Sequence, residues 1–363
     1  MRKIFIALLA LAALGAIGLF LYQNRPRPPV ETKFVGSQRE ELIPTRVGLV
    51  TPGASALVTL PEHTYQTFNN CGPATLSMIL RFAGKNVSQK ELGDFMRPYQ
   101  IPSGDNDDKT IFTSEFVEWA QKYGAGAIGR VNGDIELLKR FSANGIPVVV
   151  KTWLNIDDDI GHFRVVKGFD ESKKVIIQDD SYHGPNKEIP YFDFLSMWQP
   201  FNYDYIVVYT PDMEEKVMAI IGDETDDSVN WERALARAEK EKALDSQSVY
   251  PAFNVSASAY HLGDYQRSAS EFETVEARLP RRMLWYQIEP IRAYQKLKNY
   301  ERVFAITDRI LNGGNRAFSE LYLIRGEIYL AQGEREKARA EFEKALLYNE
   351  NLETARKALD ESF

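Results

Sequence analysis

The chain has 363 residues, 44% of them apolar and 26% charged, the balance of a folded globular protein and not of a disordered one. Its net charge is −7 with acids and bases interspersed, and the lack of a basic tract or face excludes nucleic acid as a partner. One cysteine in the whole chain excludes an internal disulfide framework, so bulk packing must hold the fold together.

Residues 4–22, IFIALLALAALGAIGLFLY, carry no charge and follow Met1-Arg2-Lys3. At about 1.5 Å per residue the run matches a hydrocarbon core of roughly 30 Å. It is longer than the apolar core of a cleaved signal peptide, about 7–15 residues. The expectation is an uncleaved transmembrane anchor over residues 1–24. Arg2 and Lys3 would keep the N-terminus in the cytoplasm, although Arg25, Arg27 and Lys33 reduce the charge contrast across the span. The chain would then be a single-pass cell-membrane protein with its body on the extracytoplasmic side. RPRPP at 25–29 reads as a stiff, extended tether inside a linker over 25–47.

A mixed α and β region is predicted over 48–213. Ser88 and Glu91 form a capping box that opens the helix SQKELGDFMRPY. SEFVEWAQKYG puts Phe116, Trp119 and Tyr123 on one helical face and stops at Gly124. DIELLKRFSANG is a third helix, closed by Asn144-Gly145. Strands follow in IPVVVKTWL, HFRVVKGFD, KKVIIQDD and YDYIVVYT, with Asp170-Glu171-Ser172 as the hairpin between the second and third. Helices first and an antiparallel sheet afterwards give an α+β domain.

From 214 to 363 the composition turns to Ala, Glu, Arg and Leu, and strand patterns vanish. Laid over one another at a period of 35, Gly263-Asp264-Tyr265, Lys298-Asn299-Tyr300 and Gly333-Glu334-Arg335 fall in register. Phe272, Thr307 and Phe342 do the same, as do Val275, Ile310 and Ala345, and Pro280, Asn315 and Glu350 close the units. Two helices per unit at this period resemble tetratricopeptide (TPR) repeats, an all-α array whose curved surface binds peptides or proteins. WERALARAEKEKALD would lead the array and ETARKALDESF would cap it. The resemblance implies a protein partner, or else an inert helical spacer.

YQTFNNCGPATLSMIL, residues 65–80, holds the lone Cys71. Pro73 suits the first turn of a helix whose buried stripe is Leu76, Ile79, Leu80 and Ala83, so Cys71 sits at or just before a helix N-terminus. Free amides and the helix dipole there favour a thiolate. An imidazole nearby would complete the activation, and His162 opens a strand at Gly161-His162. Asp179-Asp180 ends the next strand of the hairpin, where it lies beside the start of the first. Gln66, five residues before Cys71, is placed to offer its side-chain amide to an oxyanion, alongside the Cys71 backbone N–H.

QTFNNCGPATLSMIL, GHFRVVKGFD and DDSYHGP together resemble the C39-like cysteine peptidases, a papain-like α+β family, over roughly residues 50–211. The resemblance implies Cys71 as nucleophile, His162 as general base and acid, Asp180 as the carboxylate that orients the ring, and Gln66 at the oxyanion. Counting from His162 as in the transporter-linked members points to Asp179 in place of Asp180. Two departures stand out: the oxyanion Gln of the family commonly lies six residues before the Cys, and no nucleotide-binding cassette accompanies this domain. The expected function is therefore cleavage of a peptide or protein by a Cys-His-Asp triad, without a cofactor. The alternatives are a catalytically silent peptidase-fold/TPR scaffold, or an acyl transferase built on the same Cys. His63 and His183 have no zinc-ligand spacing. His261 lies in a repeat helix, DNDD (105–108) and DDD (157–159) read as solvated loops, and Trp153 and Trp198 as core.

Overall fold

A computed structural model of the protein describes residues 34–37, 48–97, 99 and 111–362. Its first part has seven strands and its second is helical. The elements up to the end of the sheet are β1 (Ser55–Leu57), α1 (Cys71–Phe82), α2 (Gln89–Met96), α3 (Thr113–Lys122), β2 (Gly126–Arg130), α4 (Ile135–Ala143), β3 (Val148–Trp153), β4 (Gly161–Asp170), β5 (Val175–Asp180), β6 (Gly184–Pro190), α5 (Tyr191–Trp198) and β7 (Tyr205–Tyr209). The strands form one antiparallel sheet in the order β2-β7-β3-β4-β5-β6, and β1 lies beside the far half of β4.

The local signals act as expected. Ser88 Oγ accepts from the Glu91 N–H at the start of α2, and Asp134 Oδ1 accepts from the Leu137 N–H at the start of α4. Gly124 and Gly145 follow their helices with positive φ. The four strands read from β-branched and aromatic runs become β3, β4, β5 and β7. Three further strands carry no such signal. β1 is three residues long, β2 is Gly-Ala-Ile-Gly-Arg, and β6 (GPNKEIP) is a polar edge strand with Pro at the end. These pairings come from the sheet and not from local preference.

Two apolar layers sandwich the sheet. Val149, Phe163, Val165, Ile206 and Val208 meet α1, α2 and α3 on one face. Val148, Val150, Val166, Phe169, Tyr205 and Val207 meet α4, α5 and α6 (Glu214–Ile221) on the other. The helix over 214–221 thus packs with the sheet.

The remaining helices are α7 (Asp227–Leu244), α8 (Tyr250–His261), α9 (Tyr265–Val275), α10 (Met283–Tyr286), α11 (Glu289–Lys296), α12 (Tyr300–Asn312), α13 (Ser319–Ala331), α14 (Arg335–Tyr348) and α15 (Glu353–Ser362). The periodic positions behave alike in all three units. Phe272, Thr307 and Phe342 are fully buried, and Val275, Ile310 and Ala345 nearly so. The turns at Gly263, Lys298 and Gly333 all have positive φ. Asp264 and Asn299 then cap the helices that follow, accepting from the Arg267 and Arg302 N–H groups. The protein is therefore an α+β sheet domain followed by paired repeat helices.

One expectation is corrected. Among the described residues no helix is long and apolar enough to cross a membrane. The longest element named above, α7, spans 18 residues but reads DSVNWERALARAEKEKAL, with charges on every turn. The anchor over 1–24, on which the single-pass cell-membrane placement rested, lies outside the described residues, as do DNDD at 105–108 and most of the linker. The membrane placement is not supported and is withdrawn.

The helices close on the sheet region. Trp153, Met197 and Phe201 share one buried cluster with Phe253, Trp285, Tyr286 and the repeat core. Asn202 Nδ2 donates to Ser258 Oγ (2.9 Å), Asn254 Nδ2 to Gln199 O (2.8 Å), and Arg282 pairs with Asp159 (2.7 Å). Arg97, after α2, reaches Glu320 at the start of α13 through two hydrogen bonds of 3.1 and 2.8 Å and also binds Glu115 of α3 at 2.7 Å. These contacts come largely from the first helix of each unit, which is thus engaged within the chain.

Candidate active site

Residues 67–70 build the approach to Cys71. Asn69 takes a left-handed conformation, φ 56°, tolerated better by Asn than by most residues. Asn70 N–H turns back to Thr67 O (3.1 Å), and Asn70 Nδ2 donates to Thr67 Oγ1 (2.6 Å). The Asn70 side chain therefore does not cap α1, and no acidic residue stands in the first turn. Neither a side-chain cap nor a carboxylate therefore stands at the N-terminal turn of α1, where Cys71 lies. Gly72 is required for close packing: a Cβ there would lie 2.6 Å from Ile111 Cδ1. One turn on from Cys71, Thr75 Oγ1 donates to Phe163 O (3.2 Å). This bond moors the first turns of α1 beside the start of β4, where His162 stands.

Strand parity then assembles a second group. His162 and Arg164 share one face of β4, and the register sets Arg164 opposite Asp180. His162 Nε2 donates to Asp180 Oδ1 at 2.9 Å, and Arg164 Nε to Asp180 Oδ2 at 2.8 Å. The Tyr182 and His183 backbone N–H groups also reach Oδ1, at 2.8 and 2.9 Å, and His183 Nδ1 lies 3.1 Å from Oδ2. Asp179 faces the other way, bound to Lys167 Nζ (2.7 Å) and the Asn186 N–H (2.8 Å). Of the two candidate carboxylates, only Asp180 meets the His162 ring.

The electrostatics follow from this packing. Burial opposes ionisation of Asp180, but the His162 hydrogen bond and the His162 and Arg164 charges outweigh it and hold the carboxyl well below the usual range. Burial also pulls the His162 imidazole below its ordinary pKa; Asp180 opposes that, while Arg164 and His183 add to it. Arg164 is lowered by burial too, against the favourable charges of Asp180 and Cys71. Its Nη1 donates to Trp153 O at 2.8 Å and to Thr152 Oγ1. A buried guanidinium with this many partners is a fixed strut.

Gln66 joins the same corner. Its N–H donates to Ser181 O (2.9 Å), and its Oε1 accepts from Ser181 Oγ (2.8 Å), which leaves Nε2 as its side-chain donor. A cavity of about 470 Å³ opens beside Asp180 and Arg164, walled by Leu154, Ile156, His183, Ile189 and Met197. Gly161, next to His162, is pressed against the repeats: a Cβ there would lie 2.6 Å from the Tyr286 ring.

Sequence reading missed Arg164, the His183 ring and Ser181. Arg164 had a signal, being two residues from His162 on one strand face; His183 and Ser181 are placed by the turn after β5 and had none. His63 packs edge-on to Tyr65, with ring centroids 4.6 Å apart, and neither of its nitrogens bonds a described residue. His261 stacks on Trp231 at 3.8 Å. Trp153 and Trp198 are core.

Residues 58–206 match the model of the Peptidase_C39 like family, less than half of the chain. No curated protein matches. Among solved structures the chain is similar to xylellain, a cysteine protease from Xylella fastidiosa, at 14% identity and TM-score 0.36, covering 51% of this chain and 94% of that one. It is also similar to the peptidase domain of Streptococcus ComA, a bi-functional ABC transporter involved in a quorum-sensing pathway, at 20% identity and TM-score 0.31, covering 43% and 98%. A thermophilic TPR protein of Thermus thermophilus aligns at 21% identity and TM-score 0.28, covering 37% and 82%. Over residues 58–206 the sheet region thus matches a C39-like peptidase family in a papain-like α+β fold, and the helices after it are TPR-like.

Proposed function

We propose that the protein is a cysteine peptidase in which Cys71, His162 and Asp180 act as a triad and Gln66 supports the oxyanion. The observation that carries this reading is the His162 Nε2 to Asp180 Oδ1 bond of 2.9 Å, made on the strand to which the first turns of α1 are moored. With Nε2–H donated to a carboxylate, Nδ1 is the ring nitrogen left to take the thiol proton.

In this mechanism the Cys71 thiolate attacks a peptide carbonyl, while Gln66 Nε2 and the Cys71 N–H receive the developing oxyanion. His162 passes its proton to the leaving amine, Asp180 holds the ring throughout, and water hydrolyses the acyl-enzyme. Over residues 48–213 the chain would supply the chemistry. Over 214–363 the repeats would steady the His162 end of the sheet, with their outer face free for a protein partner.

The test is hydrolysis of a mixed peptide library by the full chain, followed by mass spectrometry. New amino termini that vanish in Cys71→Ala and in His162→Ala are expected. Equal products from wild type and Cys71→Ala would end the reading.

A further inference from the structure

A second cavity, of about 520 Å³, lies between the β2 edge of the sheet and the repeats, within the size range of ligand pockets. It opens at the strand ends that also hold the His162 and Asp180 cluster: Arg130, Tyr205, Val150, Arg164 and Asp180 succeed one another across the sheet in register. Its wall is rich in negative charge. Glu118, Asp204, Asp227 and Glu289 line it against Arg130, Lys151 and the His261 imidazole, whose Nε2 lies 3.4 Å from Glu289 Oε1.

Both cations are already engaged. Arg130 pairs with Asp227 at 3.1 Å. Lys151 Nζ donates to Ile111 O at 3.0 Å and sits among the rings of Phe112, Phe163, Phe201 and Tyr286, at 5.4–5.8 Å. The wall thus already stabilises one buried ammonium by cation–π contact. Two carboxylate oxygens remain over, because Asp204 Oδ1 and Glu289 Oε2 are buried with no hydrogen-bond partner among the described residues. Burial, against the opposing Thr113 hydrogen bond and Lys151 charge, pushes the Asp204 carboxyl up to about 6, and Glu289 adds to the rise. Beside them the His261 and Trp231 rings stack on each other nearly parallel, 7° apart, which leaves one outer aromatic face on each.

We propose that this cavity receives the guanidinium of an arginine side chain carried by a peptide ligand. A planar cation matches both features at once: it stacks on aromatic faces and donates to two carboxylates. The proposal rests on the peptidase reading only in naming a peptide as the carrier.

The experiment is calorimetric titration of the full chain, in a Cys71→Ala background, with N-acetyl-arginine amide and with its neutral isostere N-acetyl-citrulline amide. Saturable binding of the arginine probe is expected, with the citrulline probe weaker by about tenfold or more. Glu289→Gln and Asp204→Asn should each weaken arginine binding by about tenfold, with melting curves checking that each variant folds. Should Asp204→Asn fail to fold, Glu289→Gln, half-buried on a repeat helix, decides alone. No saturable binding, equal binding of both probes, or parental affinity in every folded variant overturns the proposal. Because the readout needs no thiol, a failure here leaves hydrolysis by Cys71 untouched, and a failure of hydrolysis leaves this site standing.

Discussion

Two buried ionic clusters in the molecule are built with opposite charge counts. Around Asp180, one carboxylate is met by Arg164, His162 and His183, and burial is outweighed, so the acid stays ionised. Around Arg97, one guanidinium is shared by two carboxylates, Glu320 and Glu115. There burial and the neighbouring Glu320 outweigh Arg97, and Glu115 is pushed up to about 7. An acid with spare cations is a fixed point for chemistry, whereas a spare acid beside a shared cation titrates near neutrality. The first cluster sits where the sheet would do chemistry; the second joins that region to the repeats.

The largest expected effect breaks the first cluster. Asp180→Asn should lower turnover by about 10²–10⁴-fold, because the imidazole loses the carboxylate that orients it. Asp179→Asn, on the opposite face with Lys167, should leave turnover close to wild type, so steady-state kinetics on the pair separates the two carboxylates. Breaking the second cluster acts on stability instead. Arg97→Met strands Glu115 and Glu320 and should cost about 3–5 kcal/mol in a urea melt.

The pH dependence sharpens the contrast. Glu115 is raised in the folded state above its ordinary 4.5, so its contribution is most favourable at low pH and is lost as pH rises from about 4.5 through 7. Asp180 is depressed, so its contribution is present above the ordinary carboxylate pKa and lost as pH falls toward its folded value. His162, also depressed, makes folding less favourable once pH drops below 6.5. Glu115→Gln should therefore remove this residue's share of the stability lost between pH 5 and 7.5, on the order of 2–3 kcal/mol, while the share of Asp204, raised to about 6, and acid unfolding stay in place. The smallest effect lies in the repeats. Lys298 occupies, at φ 59°, the turn that Gly263 and Gly333 hold in the other units. Lys298→Gly should stabilise by about 0.5–1 kcal/mol in the same melt.

What was legible in the sequence was local. The Asn-Asn-Cys-Gly-Pro approach, the Ser88 and Asp134 caps and the 35-residue register are written in neighbouring residues. The adjacency of His162 and Asp180 followed from hairpin geometry. The choice between Asp179 and Asp180 did not, since it depends on the register shift between Val166 and Gly168, which residue types do not encode. The edge strands β2 and β6 were missed because glycine, proline and charge there suit an edge and hide the strand. The closure of the repeats on the sheet was invisible for another reason: Arg97 and Glu320 are 223 residues apart, and no local signal spans that distance.

The central claim is that Cys71 works with an imidazole held by Asp180. Its most direct test is the pH dependence of iodoacetamide alkylation of Cys71 in the full chain, beside His162→Ala. Rapid alkylation near pH 6 that is lost in the variant is the predicted result. A single titration near the ordinary thiol value of about 8.5, the same in both proteins, would contradict it.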